Sequence, residues 1–183
     1  LTNEILKHEP KSLSIIEKDS SLAKKLELKF IKIKKIKVYN SDILKFDLEN
    51  INKKNSVIMG NLPYNISSQI LVKILKFTKW PPNFNDLILM FQKELGEKII
   101  GEYSSPNYGR LSILSNYRMH LVKKFYVSPN CFSPKPKVTS TVFHFQPIKN
   151  KTFKIKKISN LEKITNILFS NKRKMINKSI KKI

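Results

Sequence analysis

Residues 56–71 read SVIMGNLPYNISSQIL, and three kinds of structure meet in them. SVIMG at 56–60 is an apolar, partly β-branched run of strand length. From residue 67 to 77 the apolar residues recur three and four apart, as on a helix with one buried face. Between the two stands Asn61-Leu62-Pro63-Tyr64, where a plain connection would use Gly, Asp or Ser. Proline fixes its own φ and biases Leu62 toward an extended shape, so the carbonyls of this loop are held in set directions.

The same alternation continues on both sides. Residues 2–8 read as the end of a helix stopped by Pro10. LSII at 13–16 predicts a strand, and residues 20–30 a helix with Ser20 or Ser21 as its cap. IKIKKIKVY at 31–39 alternates apolar and basic residues, as a strand with one wet face does. DLILMFQ at 86–92 predicts a strand, and KELGEKIIG at 93–101 a helix closed by Gly101. A helix over 109–119 and strands at 123–127 and 140–145 follow. Residues 147–158 form a basic connector, and 160–183 read as one helix or two. Strand alternating with helix implies an α/β domain with a mostly parallel sheet, whose ligands sit outside the carboxyl ends of its strands.

The chain has 183 residues and is 40% hydrophobic, enough for a core. Its formal charge is +23, from 36 Lys and Arg against 13 Asp and Glu. A polyanion suits that excess, because neutralising phosphates releases counterions. Only Arg110, Arg118 and Arg173 are Arg, and a chain rich in Lys, Asn and Ile also follows from an AT-rich genome, so charge alone does not decide. An anionic membrane surface attracts the same charge. The single Cys131 allows no internal disulfide, and no Cys and His cluster has metal-site spacing. The longest uncharged stretch, Ser56 to Val72, contains Gly60 and Pro63 and does not read as a membrane span.

Three polar stretches fall at strand ends. A carboxylate such as Glu17 there accepts hydrogen bonds from ribose hydroxyls, although it serves equally to open the next helix. Asp42 suits an adenine amino group, or a turn. In the third stretch, the Asn61 side-chain oxygen and a main-chain carbonyl can take both protons of an exocyclic base amine while Tyr64 stacks on the base. Holding those protons frees the nitrogen lone pair for attack, so positioning and electrostatics supply the rate. A Pro-Tyr turn packed on the sheet is the plainer alternative.

These segments, taken in order, resemble the KsgA-type small-subunit ribosomal RNA adenine dimethyltransferases. LSIIEKDSSLAKKL is similar to the family's ribose-binding segment, SDILKFDL to its adenine-binding segment and GNLPYNISSQIL to its methyl-transfer loop. FQKELGEKI, YGRLSIL, CFSPKPKVTS and LFSNKRKMINKSI resemble later segments. The resemblance implies a Rossmann-like sheet that uses S-adenosyl-L-methionine, over residues 1–148, followed from 149 to 183 by a connector and the start of a helical domain. It implies that Glu17, Lys18, Asp42, Ile43 and Asn61 bind the cofactor, and that Asn61, Leu62, Pro63, Tyr64 and Phe132 form the reaction pocket around a flipped adenosine. Arg110, Lys135, Lys137, Lys172, Arg173 and Lys174 are then the RNA contacts, with no metal. The resemblance further implies the small ribosomal subunit as partner, and a cytoplasmic monomer apart from membranes.

Two departures accompany the resemblance. No glycine precedes Gly60, so the family's glycine-rich cofactor loop has no counterpart, and the chain reads as an internal fragment lacking a central first strand. Thr139 stands where an acidic residue or Asn is usual. Two other functions fit the same pattern: a macrolide-resistance-type methyltransferase of large-subunit RNA, and a non-catalytic RNA-binding assembly factor.

Overall fold

The computed structural model describes residues 1–149, 155 and 157–169. The chain divides into two compact units, Leu1–Leu48 and Glu49–Ile183, and each contains one sheet.

The first unit runs α1 (Thr2–Lys7), β1 (Leu13–Glu17), α2 (Ser20–Phe30) and β2 (Ile36–Asn40). β1 and β2 pair in parallel, from Leu13 opposite Ile36 to Glu17 opposite Asn40. Asp19, rather than either serine, caps α2: its carboxylate accepts the Leu22 N–H at 2.8 Å from an extended backbone. The strand expected over 31–39 begins only at Ile36. Phe30 C=O accepts the Ile33 N–H and Ile33 C=O accepts the Ile36 N–H, so the chain turns twice before it reaches its ladder partner. With β1 five residues long, pairing before Ile36 is limited to Lys35 C=O, which accepts the Leu13 N–H at 2.8 Å. The alternating lysines of that stretch suit an exposed turn as well as a strand.

The second unit begins with a single turn, α3 (Leu48–Ile51), which overlaps the boundary. β3 (Ser56–Asn61), α4 (Ser67–Leu75), β4 (Phe84–Gln92), α5 (Lys93–Ile99), α6 (Arg110–Arg118), β5 (Met119–Val127), β6 (Ser140–Pro147) and α7 (Ile158–Phe169) follow. The strand order is β3-β4-β6-β5. β3 and β4 are parallel, whereas β6 runs antiparallel to both β4 and β5. The sheet is therefore less parallel than the strand–helix alternation predicts. The cause lies in the β5–β6 connection, which has no crossover helix and so returns the chain antiparallel.

The core of this unit is the face formed by Leu87, Leu89, Phe91, Phe143 and Phe145, each at most 3% exposed. Ile70, Leu71, Ile74 and Leu75 of α4, Ile99 of α5 and Leu114 of α6 are equally buried. α5 lies so close to β6 that a Cβ on Gly96 would stand 2.3 Å from Thr141 Cγ2. Gly101 ends the α5 region, but its φ is not positive. It is glycine because a Cβ there would stand 2.5 Å from the Asn107 carbonyl oxygen of the returning loop. α7 packs on α6, where Arg110 donates to Asn166 at 3.0 Å, and a 2.7 Å ion pair between Glu162 and Lys76 ties it to the end of α4. Lys172, Arg173 and Lys174 lie outside the described residues.

Candidate active site

In the first unit, the parallel register brings Glu17 and Asn40 to the same end of the sheet. Asn40 Nδ2 donates to the carbonyls of Glu17 and Lys18, both at 3.1 Å, and the Ser41 N–H reaches Glu17 C=O at 2.9 Å. These bonds tie the two polar strand ends together. Glu17 Oε1 accepts the Asp19 N–H. Asp42 Oδ1 accepts the Leu44 N–H and Oδ2 pairs with Lys18 Nζ at 2.8 Å. The hydrogen bond from Lys18, followed by that from the Leu44 amide, lowers the Asp42 carboxyl below its ordinary range. Ile43 is half-buried beside it. Asn40 was not singled out from the sequence; its position as the last residue of a strand was the available signal.

In the second unit, Asn61 closes β3 opposite Met90. The chain then turns through Leu62 and Pro63 into α4. Pro63 C=O accepts the Ile66 N–H at 3.2 Å, and Tyr64 C=O accepts the hydroxyl of the fully buried Ser67 at 3.0 Å. The Tyr64 hydroxyl lies 2.6 Å from Ser140 Oγ at the start of β6, which anchors the ring to the sheet. Gly60 makes this turn possible: a Cβ there would meet Leu62 Cδ2 at 2.7 Å and Leu89 Cδ2 at 3.1 Å. The Asn61 side chain is exposed, and among the described residues it makes no hydrogen bond. An exposed primary amide with no internal partner at a strand's carboxyl end is able to accept from a ligand. Ser140 and Ser67, which hold the loop, were missed from sequence: nothing local marks a serine that faces a tyrosine 76 positions away, and the signal for Ser67 was its place three residues after Tyr64 at the start of α4.

Phe132 follows a single 3-10 turn, Pro129–Cys131, and is half-buried. Among the described residues it has no ring contact with Tyr64. Lys135 and Lys137 are exposed. Arg110 opens α6 and, with Lys98, Asn107, Leu111 and Phe169, lines a cavity of about 290 Å³. Among the described residues no group of three His, Cys, Asp or Glu side chains is arranged to hold a metal ion. No described helix is long and apolar enough to cross a membrane.

The family model for ribosomal RNA adenine dimethylase matches residues 1–183. The chain belongs to the ribosomal RNA adenine dimethylase family. It is 44% identical to ribosomal RNA small subunit methyltransferase A of Pelagibacter ubique, over 100% of this chain and 69% of that protein. It is 43% identical to the protein of the same name from Rhizobium etli, over 80% of this chain and 53% of that one. The chain thus spans between about half and two thirds of these two relatives. Among solved structures, a dimethyladenosine transferase from Plasmodium falciparum superposes with a TM-score of 0.79 at 27% identity, over 98% of this chain and 64% of that one. The 23S rRNA methyltransferase ErmE superposes at 0.71 and 23% identity, over 100% of this chain and 71% of that one, a likeness of fold. The α/β, Rossmann-like methyltransferase architecture read from the sequence is thereby borne out.

Proposed function

We propose that this chain carries the reaction centre of an enzyme that transfers methyl groups from S-adenosylmethionine to the exocyclic amine of adenosines in small-subunit ribosomal RNA. The observation that carries the reading is the Asn61–Tyr64 loop, with its unengaged, exposed amide at the carboxyl end of β3. The names of the relatives support the substrate class.

The chemistry of the strand ends fits the cofactor. Glu17 and Asp42 offer carboxylate oxygens at one end of the β1–β2 pair, Glu17 for ribose hydroxyls and Asp42 with Ile43 for the adenine ring. Lys18 occupies one Asp42 oxygen, but its side chain is 72% exposed. Solvent screens such an exposed pair, so displacing it costs little. When bound, the cofactor supplies an electrophilic methyl group on a sulfonium. At the other reactant, Asn61 Oδ1 accepts one amine proton and a loop carbonyl the second. The carbonyls of Pro63 and Tyr64 are already engaged, which makes that of Leu62 the acceptor. Tyr64 and Phe132 supply the faces against which a flipped adenine stacks. As positive charge develops on the nitrogen, both acceptors bind it more strongly, which lowers the barrier without a strong base.

The same proposal includes phosphate contacts from Arg110, Lys135, Lys137, Lys172, Arg173 and Lys174. It also includes a division into domains near residue 148, a cytoplasmic location and a monomeric state. The test is Asn61→Ala in the full chain. Turnover should fall about a hundredfold or more while RNA affinity stays within about twofold. Near-normal turnover in a folded variant contradicts the assignment.

A further inference from the structure

We propose that Tyr126, flanked by Lys93 and Lys124 at the outer edge of the second unit's sheet, seats an unstacked nucleotide of the single-stranded RNA that flanks the target adenosine. This rests on the methyl-transfer reading above and adds a contact to it.

β5 is an edge strand, and its sequence MHLVKKFYV contains no acidic residue. Lys124 and Tyr126 stand opposite Phe143 and Thr141 of β6, two residues buried beneath α5. Alternation along the strand puts Lys124 and Tyr126 on that same face. Yet Tyr126 remains 54% exposed. Over its ring stands Lys93, the first residue of α5, with Nζ 5.6 Å from the ring centroid. The Lys93 backbone is fixed by its N–H to Thr139 C=O at 2.9 Å. Its one ion pair among the described residues, with Glu97, is loose at 3.9 Å and half-exposed at both ends, which leaves the ammonium open to a phosphate.

The position ties the patch to the reaction loop. Val127, the next residue of β5, pairs with Ser140, whose hydroxyl holds Tyr64. Ser140 and Thr141 face opposite sides of the sheet, so the Tyr64 anchor and Tyr126 share the sheet's end and not its face. Asn61, Met90, Val142 and Phe125 stand in line across β3, β4, β6 and β5, which at about 4.8 Å per strand puts β5 about 14 Å from Asn61. Flipping an adenosine out of a helix leaves its neighbours unstacked, and an exposed aromatic ring beside cations takes such a base on its face and the phosphate on the cations.

Lysines on an edge strand also discourage edge-to-edge pairing of chains. That explains Lys123 and Lys124. It does not explain why the same strand end exposes two aromatic rings, Phe125 and Tyr126, which would promote association.

The test uses the full chain, a fluorescent RNA hairpin with adenosines in its loop, and a blunt duplex as control. Tyr126→Ala should weaken hairpin binding about fivefold to a hundredfold and raise KM for RNA with kcat nearly unchanged. Tyr126→Phe should bind within about twofold of the parent. Lys93→Ala should weaken hairpin binding and flatten the dependence of log K on log salt by about 0.7. Cofactor affinity should stay the same in all three. If Tyr126→Ala and Lys93→Ala both bind the hairpin as the parent does, the proposal is overturned. It is equally overturned if Tyr126→Ala changes only self-association in sedimentation, which would make β5 a contact between chains. Failure of the parent itself to bind or methylate RNA sinks the functional reading instead, and this one with it.

Discussion

Gly96 and Gly109 show how much one methyl group weighs at different places in the second unit. A Cβ on Gly96 would stand 2.3 Å from Thr141 Cγ2 and 3.0 Å from Phe143 Cζ, both in the core. Neither neighbour has room to give, so Gly96→Ala should cost about 1–3 kcal/mol in urea denaturation. At Gly109 the same atom meets nothing nearer than 3.9 Å, and the backbone is extended. Gly109→Ala should therefore change stability by less than about 0.5 kcal/mol. Tyr64 makes a second contrast. Tyr64→Phe removes the bond to Ser140 and leaves a fully buried hydroxyl without its partner, so it should cost about 1–2 kcal/mol while keeping the stacking face. A melting curve compared with Ser140→Ala separates the two ends of that bond. The turn from strand to helix at Asn61–Tyr64 was legible in the sequence, because Pro63 interrupts the apolar run and helical spacing resumes at Ser67. Ser140 was not, since its partnership depends on where β6 lies against the chain that follows β3.

At the scale of elements, the turn before β4 is held by a polar cluster. Glu49 accepts the N–H groups of Thr78 and Lys79 and the Thr78 hydroxyl, all within 3.0 Å. Burial raises the Glu49 carboxyl, but those three donors and the Arg118 charge outweigh it, and the net shift is downward. A carboxyl whose pKa is lowered on folding stabilises the fold above its unfolded value and loses that contribution as pH falls through the folded one. Glu49→Gln should thus cost about 1–2 kcal/mol at neutral pH. The difference from the parent should shrink as pH drops below 4.5, which denaturation across pH measures. Arg118 is 7% exposed, donates to Phe77 C=O at 2.6 Å and lies 4.2 Å from the Trp80 ring. Burial lowers its pKa. Lysine lacks the planar fork and the stacking face, so Arg118→Lys should lower the melting temperature as a loss of about 2–3 kcal/mol would. The helices α4, α5 and α6 were readable because their buried faces follow helical spacing. The stretch 31–39 was not, because alternating lysines satisfy a turn and a wet strand alike. Only the five-residue ladder with β1 decides between them.

At the scale of the molecule, charge is the dominant property. An excess of +23 concentrated in lysine predicts that RNA binding weakens steeply with salt, by a slope of about −0.7 per phosphate contacted on a single strand. The class of fold was legible from the order of strands and helices. The antiparallel return of β6 between β4 and β5 was not, because local patterns carry no strand direction. The central claim is that Asn61–Tyr64 presents an adenosine amine for methylation. The most direct measurement incubates the full chain with S-adenosylmethionine and unmethylated ribosomal subunits, then analyses the nucleosides of each subunit's RNA by mass spectrometry. Dimethylated adenosine in small-subunit RNA, absent with Asn61→Ala, is the predicted result. Methyl groups found only in large-subunit RNA, or equally abundant with Asn61→Ala, would contradict it.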